Sequence, residues 1–210
     1  IGTTDAQDFV VKTNGNQIAL FGQNGNVAIG SADVGFGLVT PVASGSSSFA
    51  FGGNAVASGL FSFANTASIA SGFASVALGG GTATGGRAIA IGSGSTASGT
   101  SALALGDSNI ASGDDSTAFG VSSTASGTMS TTFGSGTIAS GQTATAFGDH
   151  TLARSNNEIA LGAYNIDYTP LSTSAIDPFD RLFTIGNGTA FGSEHNAYTL
   201  WKDGSFAYND

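Results

Sequence analysis

Glycine returns every seven residues through most of the middle of this chain: Gly45, Gly52, Gly59, Gly72, Gly79, Gly85, Gly92, Gly99, Gly106, Gly113, Gly120, Gly127, Gly134, Gly141, Gly148 and Gly162. Asn65 and Ser155 stand at two vacated places, and two repeat units, ending at Gly72 and Gly85, are one residue short. A seven-residue period also marks coiled coils, but those need branched apolar residues at two positions and charges beside them. A glycine in every heptad would cost a helix about 1 kcal/mol per glycine relative to alanine. The alternation around each glycine fits a short strand instead. In Thr117-Ala118-Phe119-Gly120, Thr117 and Phe119 share one face and Ala118 takes the other.

The heptads are of two kinds, so the unit is 14 residues. One ends Ala-Ser-Gly, at Gly45, Gly59, Gly72, Gly99, Gly113, Gly127 and Gly141; these glycines are expected to make turns. The other ends in Ala, a large apolar residue and Gly, as in Ala90-Ile91-Gly92 and Ala146-Phe147-Gly148. Each unit then reads as one coil of an all-β solenoid, a parallel β-roll. About nine coils at the ~4.8 Å strand spacing would make a rod of roughly 40 Å.

Stacking turns every residue position into a column. One column reads Phe51, Leu78, Ile91, Leu105, Phe119, Phe133, Phe147 and Leu161. Another, two residues earlier, reads Phe49, Phe63, Val76, Ile89, Leu103, Thr117, Thr131, Thr145 and Ile159. Both are expected to be buried as the structural core ladder. The nearly unbroken alanine column between them (Ala50, Ala77, Ala90, Ala104, Ala118, Ala146, Ala160) is expected to face the other way, where small side chains let a neighbouring backbone approach. So narrow a coil has little interior, and solenoid repeats bury their core through neighbours. That predicts an oligomer, without fixing the number of chains.

Composition narrows the class. Few charges (9%) and 33 glycines resemble a disordered linker, but 40% of the residues are hydrophobic, 15 are Phe, and they recur at fixed spacing. The net charge is −9, and the five basic residues, Lys12, Arg87, Arg154, Arg181 and Lys202, are scattered. A phosphate-binding surface needs them clustered, so nucleic acid is not expected as a partner and anionic membrane surfaces are poor ones. No stretch is long and apolar enough for a membrane helix. No charged segment followed by an apolar one opens the sequence, so a secretion signal, if there was one, is expected to have been removed, and the absence of cysteine fits an extracellular repeat protein.

Candidate chemistry is sparse, and the chain reads as non-enzymatic with no catalytic, cofactor-binding or metal site. His150 and His195 are the only histidines and lack the spacing of a zinc site, so they read as loop residues. The repeat serines sit in no nucleophile elbow. Gly79-Gly80-Gly81 lacks the following helix and lysine of a phosphate loop, so it reads as a tight turn. Asp107, Asp114, Asp115 and Asp149 each follow closely on a repeat glycine; they could gather around Ca²⁺, but read better as solvated turn acids. Trp201 and the tyrosines Tyr164, Tyr168, Tyr198 and Tyr208 all follow the repeats.

Ser75-Val76-Ala77-Leu78-Gly79, Ala88-Ile89-Ala90-Ile91-Gly92 and Glu158-Ile159-Ala160-Leu161-Gly162, alternating with Ala-Ser-Gly units, closely resemble the head repeats of YadA-like trimeric autotransporter adhesins. The similarity covers residues 41–163. It implies a left-handed roll, three copies of the chain around one axis (a homotrimer), a place at the cell surface, and binding to a matrix protein or surface glycan. No coiled-coil stalk, anchor strands or family neck are recognisable, so the sequence reads as a head portion anchored through other parts and not itself inserted in a membrane. The segments 1–40 and 164–210 read as β-rich shaft or connector elements. Ile1-Gly2-Thr3-Thr4 through Gly30, and Arg181 to Gly188 followed by Asn196 to Gly204, resemble phage tail-fibre repeats and carry Asn-Gly and Asp-Gly turns. Two alternatives follow. One is a receptor-binding segment of a phage or injection-particle fibre. The other is an ice-binding solenoid, suggested by Thr96, Thr117, Thr124, Thr131 and Thr145 but interrupted by Val, Ile, Leu and Phe in the same columns.

Overall fold

The computed structural model describes residues 7–30 and 39–209, so the Ile1–Thr4 segment lies outside the described residues. Among the described residues there are strands and turns and no helix. The chain divides into two compact units, Ile1–Ser101 and Ala102–Asp210.

In the first unit the strands Phe49–Phe51, Phe63–Asn65, Val76–Leu78 and Ile89–Ile91 pair in parallel. Behind them runs a second parallel sheet of two-residue strands, Val42–Ala43, Val56–Ala57, Ile69–Ala70, Thr82–Ala83 and Thr96–Ala97. The second unit repeats the plan with longer strands: Leu103–Asp107, Thr117–Val121, Thr131–Ser135, Thr145–Asp149 and Ile159–Ala163. Its short strands are Ile110–Ala111, Thr124–Ala125, Ile138–Ala139 and Leu152–Ala153. Each coil gives one strand to each sheet, and the two units together carry about nine coils at roughly 14-residue spacing. The two short units lose their residue in the same turn. Thr66–Ser68 and Gly79–Gly81 each span three residues where Gly52–Ala55 spans four, so the triple glycine is a tight turn.

The interior reverses the expectation for the columns. The alanines fill it: Ala50, Ala64, Ala77 and Ala90 in the first unit, and Ala104, Ala118, Ala146 and Ala160 in the second, are completely buried. Across from them Ala57, Ala70, Ala83, Ala111, Ala125, Ala139 and Ala153 are equally buried. Phe51, Leu78, Ile91, Leu105, Phe119, Phe133, Phe147 and Leu161 point outward instead, as does the column beginning at Phe49. The reason is dimensional. The two strands of a coil are joined by a turn of two to four residues on one side and of five on the other, and between them only alanine and, at one place, threonine is buried. Thr132 is the one departure in the long-strand alanine column, and its buried hydroxyl has no hydrogen-bond partner.

The same crowding explains the glycines of the Ala-Ser-Gly turns. A Cβ on Gly127 would lie 2.0 Å from the carbonyl oxygen of Gly141 in the next coil, so coils stack at this spacing only where the side chain is a hydrogen atom. The left-handed residue of this turn is two positions later and is not glycine, as at Ser47, Arg87, Asp115 and Met129. An inward serine then closes the turn: the Oγ of Ser48, Ser62, Ser75 and Ser116 donates to the carbonyl of Gly45, Gly59, Gly72 and Gly113 at 2.6–2.8 Å. Ser155 occupies a glycine place where no further coil follows. Its side chain, free of the usual clash, donates to the Arg181 carbonyl at 2.7 Å.

The sheets of long strands continue into both flanks. At the N-terminal side Phe9–Thr13, Asn16–Phe21 and Val27–Ile29 form an antiparallel meander whose last strand pairs in parallel with Phe49–Phe51. Asn14 and Gly15 turn the first hairpin with φ of +49° and +80°, matching the right-handed twist of the strands. At the C-terminal side Arg181–Asn187 pairs in parallel with Ile159–Ala163, and Asn196–Trp201 and Phe206–Tyr208 follow antiparallel.

Candidate functional site

The outward face of the long-strand sheet is an extended apolar surface in each unit. In the second unit the rings of Phe119, Phe133 and Phe147 stack at 4.7 and 5.0 Å, each on the coil below. They remain 38%, 45% and 49% exposed, because neighbours in the ladder cover their faces and nothing covers their edges. The register carries both ladders past the roll: Ile159, Phe183, Leu200 and Phe206 follow in one, and Leu161, Ile185, Tyr198 and Tyr208 in the other. In the first unit Phe9, Phe21, Val27, Phe49 and Phe63 align in the same manner. Long stripes of unpaired aromatic and aliphatic surface mark interaction faces.

The polar residues singled out by sequence do not converge. Asp107 and Asp149 share a column three coils apart, separated by Val121 and Ser135, while Asp114 and Asp115 lie in the other turn. Among the described residues no group of acids and histidines could hold a metal ion. Thr117, Thr131 and Thr145 form one column on the long-strand sheet, but Thr96 and Thr124 belong to the short-strand sheet, so the five threonines make no common face. Trp201 pairs with Arg181 across the first C-terminal hairpin. His195 Nδ1 is hydrogen-bonded to Asn187 Oδ1 at 2.6 Å, and His150 Nδ1 to Asp149 Oδ1 at 2.7 Å.

Two arrangements occur where the roll ends. The first is a charged cap. Glu158 takes the inward serine position of the last coil and is completely buried. One carboxylate oxygen accepts the amides of Arg154 and Ser155 at 2.7 and 2.8 Å and the Tyr168 hydroxyl at 3.2 Å, while the other has no partner. Burial pushes the Glu158 carboxyl above its ordinary range against these hydrogen bonds and the nearby charge of Arg181. Arg181 lies over the Tyr168 ring at 4.3 Å and donates to the Ile166 carbonyl. The Lys202 ammonium donates to Ser155 Oγ at 2.8 Å, and its partial burial lowers its pKa.

The second is a groove of about 580 Å³ on the short-strand side of the second unit. Its floor is the outward column Ile138, Leu152 and Ile166, and its wall is aromatic. His150 stacks on Tyr164 at 4.7 Å, and the ring of Phe191 stands perpendicular to both at 4.8 and 5.3 Å. The loop carrying Phe191 is pinned by Gly188, whose amide donates to the Ala163 carbonyl, and by the His195 amide, which donates to the Tyr164 carbonyl. Asp167 and Glu194 complete the lining.

The model of the YadA head domain repeat matches the sequence at residues 43–64, 83–109, 111–137, 134–153 and 139–165. The chain belongs to the YadA head repeat family. No curated protein matches the chain in sequence.

The matches to the YadA head repeat end at residue 165, so the Phe191 loop and the C-terminal hairpins lie outside them. Sequence reasoning passed over both the groove and the cap. Each had a signal in the columns. The left-handed turn position reads Ser108, Ser122 and Gly136 before it becomes His150 and Tyr164, and the inward position holds small residues until Glu158.

Proposed function

We propose that this chain is the head of a homotrimeric surface adhesin, three left-handed rolls packed through their long-strand sheets. The observation that carries the reading is the pair of outward apolar ladders on a roll whose own interior is already filled by alanine. Membership of the YadA head family supports the same assembly. Packing the ladders against two further copies would remove their exposed edges from water, and it would leave the short-strand sheets and turns facing outward. Those surfaces are rich in Ser, Thr and Gly and would be displayed at the cell surface to a matrix protein or glycan. Weak sites repeated on three chains gain avidity from their linkage.

Sedimentation equilibrium tests the assembly: the chain is expected to run at three times its 20.5 kDa mass. Retention of the labelled trimer on arrays of matrix proteins and glycans tests adhesion. A folded monomer would overturn the packing, and a trimer that binds neither array would overturn the adhesive role.

A further inference from the structure

We propose that the groove walled by His150, Tyr164 and Phe191 is a recognition site for a lysine or arginine side chain on an exposed basic segment of a protein. The proposal rests on the reading of this chain as an adhesive head and names the chemistry of the protein it would grip. Nothing in the fold asks for aromatic rings here, since serine and glycine fill the same turn position in three preceding coils of the unit. The Phe191 ring contributes no core, being 75% exposed, yet its loop is fastened against Tyr164 by backbone hydrogen bonds. A large ring held rigidly and left open is the signature of a binding anchor, where aromatics concentrate affinity.

Charge selects the occupant. Glu194 and Asp167 are the two acids that line the groove, and its lining holds no lysine or arginine. Both Asp167 oxygens are taken by Arg154, Nη2 donating to Oδ2 at 2.8 Å, so that charge is already balanced from outside the lining. Glu194 has no such cation partner in the lining, and accepting the Gly192 amide at 2.9 Å holds its carboxylate in place. A cation entering the groove would find the Glu194 carboxylate and the exposed Phe191 ring in one lining, the two kinds of group that stabilise guanidinium and ammonium. The apolar floor suits the methylene stem of such a side chain. Anionic glycans would meet like charge in a chain of net charge −9.

The probe is N-acetyl-tri-arginine amide, with N-acetyl-tri-lysine amide beside it, titrated into the assembled protein by calorimetry at low ionic strength. Binding is expected at one site per chain, weakening with salt. Phe191→Ala and Glu194→Gln should each weaken it roughly three- to thirtyfold. Asp115→Asn, which removes the same charge from a turn outside the groove, should leave it unchanged. Sedimentation and melting of each variant must match the parent, as expected for exposed positions. The proposal is overturned if the intact trimer binds neither peptide, or if Asp115→Asn weakens binding as much as Glu194→Gln. It is also overturned if an uncharged oligosaccharide occupies the groove and is lost with Phe191→Ala while the peptides are not. Any of these results with the trimer intact leaves the adhesive reading standing, whereas a monomer would fail that reading first.

Discussion

Phe133→Ser separates the two surfaces of the roll. Phe133 points away from the alanine interior and stays 45% exposed between Phe119 and Phe147. Taking about 200 Å² for a free phenylalanine, roughly 90 Å² per chain is left for a neighbouring copy to cover. At about 25 cal/mol/Å² that is about 2 kcal/mol per chain, or about 6 to 7 kcal/mol for three, a change of roughly 10⁵ in the assembly constant. Loss of the two stacking contacts within the chain costs about 1 kcal/mol each, which lowers the melting temperature by a few degrees without unfolding the coil. Sedimentation velocity over a range of concentrations, with circular dichroism on the same samples, reads both effects. The expected result is a β-rich species that dissociates at concentrations where the parent is trimeric. Ala118→Leu is the complement: three extra carbons have no room in the completely buried alanine column, so the coil itself should fail. A Phe133→Ser variant that stays trimeric on dilution would refute the ladder as the interface, and a well-folded Ala118→Leu would refute the alanine interior.

Two further outcomes follow from the same geometry. Gly127→Ala would place its Cβ 2.0 Å from the Gly141 carbonyl oxygen, whereas Gly86→Ala meets nothing within 4 Å. Thermal melts should show a loss of about 3 kcal/mol or more for the first and a gain of about 0.5 kcal/mol for the second; equal effects would mean that the coils can spread apart at the turn. Glu158 binds its proton more tightly folded than unfolded, because burial raises its carboxyl. Its contribution to stability is therefore present below about pH 4.5, the ordinary range of a glutamate, and is lost as pH rises through the higher folded value. Glu158→Gln should melt increasingly above the parent as pH rises from 4.5 to 7. A constant difference across that range would show that the buried carboxyl does not titrate there.

The repeat determined the backbone in advance. Glycine every seven residues and alternation around it are incompatible with helix, and a 14-residue unit repeated about nine times can bury its small residues only by stacking coils into columns. Asn65 and the short units at Gly72 and Gly85 were visible as irregularities, and the structure places the missing residues in one kind of turn. The sequence could not say which side of each strand faces in. Both Ala118 and Phe119 have a face to themselves, and hydrophobicity alone favours burying the larger one. The closeness of the two sheets decides it: turns of two to five residues leave space for a methyl group between the strands and put the phenylalanine outside. The groove is likewise tertiary. Tyr164 and Phe191 are joined only because the Gly188 loop folds back onto the Tyr164 carbonyl, where a Cβ on Gly188 would lie 2.3 Å from that oxygen. Periodicity specifies what repeats, while the spacing of backbones decides what is left outside for a partner to meet.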